Sequence, residues 1–269
     1  MRAGFIGLGH MGTRIVDAML AGGVDTTLWA RREASVEPFV PLGAKVAASP
    51  AELAKDCDVI GLCVWDESDI ADVMLRADGI LAGVNPGCVI AIHSTISPDA
   101  CRRFADEANR FGAAVVDAPV SVGNREDRVV VMLGGDEAAV ERARPVLESF
   151  GEPVAHLGPL GSGQLAKLVN NVTLAAQIAL GGDAIEFGAA LGLDRDELFS
   201  VLSHSSSRGT WTGLYGAIRA VGAGRTMEWA KKDVGLTIET AQNAGIDINR
   251  IVLELGQAGA GIVEAKRNA

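Results

Sequence analysis

A lysine and an asparagine four residues apart, Lys167 and Asn171, could move a proton on a bound substrate. On a helix this spacing places both side chains on one face. Their neighbours are mostly apolar or small, so the lysine either reaches solvent from a core helix or is held in a pocket. The spacing alone does not decide between these alternatives. In a pocket, partial burial brings the pKa of an amine toward neutrality, and Asn171 would orient the substrate oxygen.

A glycine-rich turn near the start of the chain fits the pattern G-x-G-x-x-G, with the residues Gly7-Leu8-Gly9-His10-Met11-Gly12. A plain turn without a ligand is the alternative, but this turn follows an apolar run and opens an amphipathic segment, as dinucleotide-binding turns do. Gly7 would permit the tight turn, Gly9 would let the backbone approach a pyrophosphate, and Gly12 would let the helix pack on the sheet. We therefore expect all six residues to line a cofactor site.

Two arginines stand where the type of dinucleotide is decided. NAD-binding folds usually have an acid roughly 20 residues after the glycines, which accepts hydrogen bonds from the ribose. This chain has Ala30, Arg31 and Arg32 there, and its first acid, Glu33, falls in the next predicted helix. A guanidinium pairs with a 2′-phosphate, which a carboxylate would repel. Two solvated surface arginines are the alternative, but the pattern favours NADP over NAD, bound by Arg31 and Arg32.

The stretch from Asp117 to Gly123 leaves an apolar run and turns. Ser121, Gly123 and the local backbone N–H groups could bind a small anion such as a carboxylate; a plain strand-to-loop turn is the alternative. Trp211 is predicted to lie in a loop rich in serine and glycine. Its ring could pack in the core, but this context favours a wall of the substrate pocket.

The elements that would position these residues alternate along the first half of the chain. Continuous apolar runs, typical of fully buried strands, are separated by helical patterns, which predicts a parallel sheet covered on both faces. Cys63 and Val64 end one of the runs, and we expect both to contact the cofactor. The predicted strands are Ala3–Ile6, Thr26–Trp29, Val59–Val64, Val89–Ile92, Ala114–Val116 and Val129–Leu133, and the predicted helices are His10–Ala21, Ser49–Lys55, Ser68–Leu75, Pro98–Phe111 and Asp136–Phe150.

The pattern of the second half of the chain predicts helices only. Residues 1–157 are predicted to form an α/β Rossmann domain, and residues 158–269 an all-α domain joined to it through one long helix, from Gln164 to about Leu191. Gly192 and Asp194 would supply the stop of that helix and the N-cap of the next. Further helices are predicted at Asp194–Leu202, Leu214–Val221, Trp229–Ala244 and Ile248–Ala265.

Composition excludes several classes of protein. With 24 Lys and Arg against 34 Asp and Glu, the formal charge is −10. So acidic a surface repels phosphate backbones, and we therefore expect no nucleic-acid partner. The four cysteines lack the short paired spacing of a zinc site or a disulfide framework, which fits a reducing compartment and no bound metal. The least charged stretch, Leu168 to Gly182, is too short and too polar to span a bilayer. These features predict a cytoplasmic protein without a membrane partner.

Together these motifs resemble the β-hydroxyacid dehydrogenase family, which includes 3-hydroxyisobutyrate dehydrogenase and tartronate semialdehyde reductase. The resemblance covers nearly the whole chain. It is carried, in family order, by Gly4 to Gly12, Ser94 to Pro98, Asp117 to Gly123, Gly158 to Asn171 and Lys231 to Leu236.

The resemblance implies a role for several residues. Lys167 resembles the catalytic lysine and Asn171 its substrate-orienting partner. Ser121 and Gly123 resemble the carboxylate-binding loop, with Val122 where the family has a glycine. Thr95 and Lys232 resemble positions that contact the cofactor. The resemblance also implies a small carboxylate as substrate and a homodimer or homotetramer.

The expected function is hydride transfer between NADP and a small 3-hydroxy acid or its semialdehyde, with Lys167 as general acid and base. Three departures from the family pattern bear on the pocket. A side chain at Val122 would narrow or reshape the anion site, the stretch between Trp211 and Trp229 is short, and the chain ends soon after Ala265. An imine reductase on the same scaffold is one alternative, against which Lys167 counts. A dinucleotide-binding module without turnover is the other. The helical domain of 6-phosphogluconate dehydrogenase is much longer than the one predicted here, so we do not expect that activity.

Overall fold

A computed structural model of the chain describes residues 1–123, 125, 127–221, 228–246, 254 and 256–258. The chain divides into two compact units, Met1–Lys167 and Leu168–Ala269. The first contains parallel strands and helices and the second contains helices in its described residues, so the predicted fold class is confirmed.

A parallel sheet of six strands forms the centre of the first unit, in the order β3-β2-β1-β4-β5-β6. The strand order reverses between β1 and β4, because the chain runs outward from β1 to β3 before it returns. In doubly wound sheets, ligands bind at the carboxyl ends of the strands at this point. The strands are β1 (Arg2–Ile6), β2 (Asp25–Trp29), β3 (Lys45–Val46), β4 (Val59–Leu62), β5 (Val89–Ile92) and β6 (Ala114–Asp117).

Helices cover both faces of this sheet. Neighbouring residues of a strand point to opposite faces, so Phe5 packs in one hydrophobic core with α1 and α6, whereas Ile6 packs in another with α3 and α5. The helices are α1 (His10–Ala21), α2 (Pro50–Ala54), α3 (Glu67–Leu75), α4 (Ile80–Gly83), α5 (Pro98–Asn109) and α6 (Glu137–Phe150), and two 3-10 helices lie at Glu33–Ser35 and Glu37–Leu42.

A second, smaller sheet corrects one prediction. The run Val129–Leu133 was expected in the parallel sheet, but it forms β8, which pairs antiparallel with β7 (Val120–Val122) and parallel with β9 (Gly151–His156). The reason is the connection between β7 and β8, which is too short for a crossover helix and permits only an antiparallel pair. The sequence pattern missed β7 and β9 because they are short or contain Glu and Pro.

The described part of the second unit is helical. It comprises most of α7 (Ser162–Ala190), then α8 (Arg195–His204), α9 (Thr210–Val221) and α10 (Glu228–Asn243). Asp194 caps α8 by accepting hydrogen bonds from the backbone of Asp196 and Glu197, and Gly192 has a φ of 91°, so both predicted signals are confirmed. The helix predicted at Ile248–Ala265 lies mostly outside the described residues.

No helix among the described residues is both long and apolar enough to cross a membrane.

Candidate active site

The glycine turn connects the carboxyl end of β1 to α1 at the point where the strand order reverses. A side chain at Gly12 would meet the Gly7 carbonyl oxygen at 1.8 Å, so this glycine is required for the helix to pack on the turn. A side chain at Gly9, by contrast, would meet no atom of the described residues within 4 Å. The open space above Gly9, next to the N-terminus of α1, fits the pyrophosphate of a dinucleotide.

The loop after β4 lies against this turn. A Cβ atom on Gly7 would be 2.3 Å from the Cys63 carbonyl oxygen, so the two loops are in backbone contact, and Gly7 has a φ of 104° that favours glycine. Ser94, after β5, donates a hydrogen bond of 2.8 Å to the Val64 carbonyl. The structure thus brings Cys63, Val64, Ser94 and the half-buried Thr95 to the carboxyl edge that holds the glycine turn.

The first turn of α7 is tied to the same edge by two buried polar side chains. Asp117, at the end of β6, accepts hydrogen bonds of 2.7 Å from the backbone of Gly161 and of Gln164. Burial raises the pKa of Asp117, and these N–H groups act against that rise. The Gln164 amide donates to the Ser94 carbonyl at 2.8 Å and accepts from Ile96 N at 3.2 Å. Both side chains therefore fix where α7 begins.

Lys167 lies one turn beyond this anchored start. Burial raises the pKa of the Cys63 thiol to about 12, and the charge of Lys167 acts against this rise. Lys167 follows Gln164 by about one helical turn, and the Gln164 side chain is bonded to Ser94 and Ile96 after β5, so this turn of α7 lies close to the carboxyl ends of the strands. The half-buried Lys167 is thus positioned at the edge where a dinucleotide would bind.

His93 is a structural residue of the core. It is 4% exposed, stacks on Phe5 and lies edge-on to Phe150. Its Nδ1 lies 2.8 Å from the Ala118 carbonyl oxygen, which can only accept, so Nδ1 carries the proton.

We expect acid to destabilise the protein through His93. Burial lowers the pKa of His93 from 6.5 to about 4, so between these values the unfolded chain binds a proton that the folded chain does not. The contribution of His93 to the free energy of unfolding is therefore fully present above pH 6.5. It decreases by roughly 3 kcal/mol as the pH falls from 6.5 to about 4. Urea unfolding at pH 7 and pH 4 measures the loss. His93→Asn, whose amide can still donate to Ala118, should lose less; an equal loss in both proteins would contradict the assignment.

The two predicted phosphate-binding arginines differ in their surroundings. Arg31 Nη2 lies 2.7 Å from Asp69 Oδ1 and 3.0 Å from Asp72 Oδ2, both on α3. Arg32 is exposed and makes no ion pair with a described residue, and Glu33 begins a 3-10 helix as expected. Arg31 is thus engaged by carboxylates, whereas the guanidinium of Arg32 faces solvent.

The predicted carboxylate-binding residues lie in and after β7. Ser121 pairs with Val130 and Val122 with Val129, and Val122 is 48% exposed. In the part of the chain that the structure describes, β7 is an edge strand of its sheet. Alternate N–H groups of such a strand point away from its neighbour, and these groups could meet an anion.

In the second unit, Asn171 makes a buried hydrogen bond that the sequence did not reveal. Its Nδ2 donates to Asp233 Oδ2 at 2.5 Å, and its Oδ1 accepts from Asn170 at 2.9 Å. Lys232 Nζ lies 2.7 Å from Asp233 Oδ1, and the Asp233 side chain is 3% exposed. Asp233 therefore holds both Asn171 and Lys232, two residues that were predicted separately.

Trp211 does not lie in a loop as predicted. It is in the first turn of α9, 7% exposed, with its ring against Gly181 and its Nε1 donating to the Ser207 carbonyl at 3.1 Å. Gly181 and Gly209 lie against the ring, which is buried in the hydrophobic core of the second unit.

Among the described residues, no three His, Cys, Asp or Glu side chains are grouped to hold a metal ion.

Comparisons with known proteins cover both halves of the chain. Residues 2–158 match the NAD-binding domain of 6-phosphogluconate dehydrogenase, and residues 161–265 match the NAD-binding segment of NADP-dependent 3-hydroxyisobutyrate dehydrogenase. An NAD-dependent L-serine dehydrogenase from Pseudomonas aeruginosa is 31% identical over 94% of this chain and 93% of its own length. The chain belongs to the β-hydroxyacid dehydrogenase family.

Other members of the family support the same assignment. The mitochondrial 3-hydroxyisobutyrate dehydrogenase of Mus musculus is 33% identical over 88% of this chain and 75% of its own length. The crystal structure of a 3-hydroxyisobutyrate dehydrogenase from Salmonella typhimurium shares the fold, with a TM-score of 0.84 at 22% identity over 98% of this chain and 99% of that one. As a family member, this β-hydroxyacid dehydrogenase is an oxidoreductase that uses NAD or NADP and acts on CH–OH groups.

Sequence reasoning missed three buried polar residues of this dehydrogenase: Asp117 as an anchor of α7, Gln164 and Asp233. The signal available for Asp233 was its place beside Lys232 on a helix that is otherwise partly apolar. For Gln164 there was no local signal, because its partners Ser94 and Ile96 are about 70 residues away in the chain.

Proposed function

We propose that this β-hydroxyacid dehydrogenase transfers a hydride between NADP and a small 3-hydroxy acid or its semialdehyde. The observation that carries the proposal is the position of Lys167, about one helical turn beyond Gln164, whose side chain is bonded to Ser94 and Ile96 at the carboxyl edge of the sheet. This position supports a role for the Lys167 amine in proton transfer beside a bound dinucleotide. When bound, the nicotinamide supplies or accepts the hydride.

In this proposal Lys167 moves the proton on the substrate oxygen. It accepts the hydroxyl proton during oxidation and donates one to the carbonyl oxygen during reduction. Asp117 and Gln164 hold the first turn of α7 against the strand ends, so the base of the lysine side chain is fixed. Asn171, one turn further, has its amide oriented by Asp233 and would orient the substrate.

The substrate carboxylate would bind at Ser121 and Gly123. The edge position of β7 supports this proposal, since backbone N–H groups pointing away from β8 can donate to an anion. The exposed Val122 would narrow this anion site and favour short substrates. Thr95 would contact the cofactor, and the resemblance to the family assigns the same role to Lys232. The homodimer or homotetramer implied by the family stays a prediction.

Assay of the reaction tests the proposal directly. The purified protein should oxidise at least one member of a panel of short 3-hydroxy acids at alkaline pH, and it should reduce the matching semialdehyde with NADPH. A panel of cyclic imines run alongside distinguishes the imine reductase alternative, which the presence of Lys167 disfavours. Tight NADPH binding without oxidation of any acid or reduction of any imine would instead support a binding module.

We expect the preference for NADP to depend on Arg32. Its exposed guanidinium has no ion-pair partner among the described residues, so it can form a charge-assisted hydrogen bond with a 2′-phosphate. Such bonds are worth about 1.5–3 kcal/mol, so Arg32→Ala should weaken NADPH binding roughly ten- to a hundredfold in a fluorescence titration. NADH binding should be nearly unchanged. Arg110→Ala, which removes an exposed arginine from the end of α5, is the matched control; equal losses for NADPH and NADH would contradict this role.

A further inference from the structure

The guanidinium of Arg31 is held by α3 rather than directed to solvent. Both of its ion pairs, to Asp69 and to Asp72, use the same nitrogen, Nη2. The two carboxylates raise the pKa of Arg31, and the hydrogen bond that Arg31 donates to Asp69 is the largest contribution. The side chain therefore spans from the end of β2 to the helix that follows β4.

The choice of nitrogen matters for phosphate binding. A guanidinium binds a phosphate in a bidentate manner through one of two edges, Nε with Nη2 or Nη1 with Nη2. Nη2 belongs to both edges, and in Arg31 it already donates to Asp69 and Asp72. In this conformation Arg31 cannot offer a complete edge to a 2′-phosphate, although its sequence position is the expected one.

We infer that Asp69 and Asp72 are specificity-determining residues, which weaken the binding of a 2′-phosphate by competing with it for Arg31. The inference rests on the proposed dinucleotide site at the carboxyl ends of β1 and β4. The preference between NADP and NAD is then set by Asp69 and Asp72 together with Arg31 and Arg32, and not by the two arginines alone. The competition is limited in size, since the Arg31 and Asp72 side chains are 55% and 44% exposed and exposed ion pairs are weak.

Asp72→Asn tests the inference with the least disturbance. Asp72 contacts Arg31 with its carboxylate, whereas Asp69 also accepts a hydrogen bond from Trp65 N at 3.3 Å and helps to shape the loop after β4. The substitution keeps the shape and removes the charge. NADPH should bind about two- to fivefold more tightly to Asp72→Asn, as expected for the release of one exposed ion pair, and the Kd for NADH should stay the same.

Asp99→Asn is the matched control, because Asp99 is also an exposed acid paired with an arginine, Arg102, but on α5. A second comparison places Asp72→Asn in an Arg31→Ala background, where the gain in NADPH affinity should disappear. A gain that persists there, a Kd ratio of NADPH to NADH that does not move, or equal tightening of both dinucleotides would each overturn the inference.

The result is separable from the proposed cofactor preference. If the unmodified protein binds NADH more tightly than NADPH, the proposed preference is wrong. The Kd ratio would still shift toward NADPH in Asp72→Asn if the carboxylate competes for Arg31. If the unmodified protein prefers NADPH and the Kd ratio is the same in Asp72→Asn, the cofactor assignment is supported and the proposed role of Asp72 is overturned.

Discussion

Replacing Lys167 with Met should lower the turnover number for hydroxy-acid oxidation by at least roughly a hundredfold, because general acid–base catalysis contributes about 10²–10⁴. Methionine keeps an unbranched chain of similar length but cannot carry a proton. The Kd for NADPH should change little, since in the proposed function the cofactor binds at the glycine turn and Arg32. Steady-state kinetics and a fluorescence titration on the same preparation measure both quantities.

Lys55→Met is the matched control for this experiment, because it makes the same exchange at an exposed lysine just after α2. It should leave turnover and NADPH binding unchanged. Small primary amines added to Lys167→Met should restore part of the activity if the missing group is a proton carrier. Turnover within tenfold of the unmodified protein would remove Lys167 from the proposed role, while loss of NADPH binding would point to a structural one.

Alanine at Gly9 should weaken dinucleotide binding without destabilising the fold, whereas alanine at Gly12 should destabilise the fold. Gly9 has φ −81° and ψ −166°, which any residue adopts, and within the part of the chain that the structure describes no atom lies within 4 Å of an added Cβ. Gly9→Ala should therefore leave the free energy of unfolding within about 0.5 kcal/mol of the original. The methyl group would occupy the space of the pyrophosphate, so both NADPH and NADH should bind at least about tenfold more weakly.

Gly12→Ala should instead destabilise the fold. Its Cβ would lie 1.8 Å from the Gly7 carbonyl oxygen, which is backbone and cannot move without shifting the turn. Overpacking of this kind costs about 1–3 kcal/mol, and urea unfolding of the two variants side by side measures the contrast. If Gly9→Ala binds dinucleotides normally, the pyrophosphate does not lie over that glycine. If Gly12→Ala is as stable as the original, the close approach of α1 to the turn is not required.

The features of this protein that could be predicted from its sequence are those that depend on short-range patterns. The glycine turn, the buried strands, the Asp194 cap and the order of an α/β half followed by helices are all encoded within a few neighbouring residues, where periodicity and backbone sterics act. The small sheet could not be predicted in the same way, because the pairing of β7 with β8 and β9 depends on which strands meet and not on their composition.

The candidate site was predicted residue by residue, but the contacts that position these residues are long-range. Gln164 bonds to a loop about 70 residues away, Asp233 lies 62 residues from Asn171, and Asp72 lies 41 residues from Arg31. Sequence spacing carries no information about such pairs in a single chain. Only the tertiary structure decided that Arg31 is engaged by two acids, that Asn171 is held by a buried carboxylate and that Trp211 packs in a core, because each depends on how separate elements fold against one another.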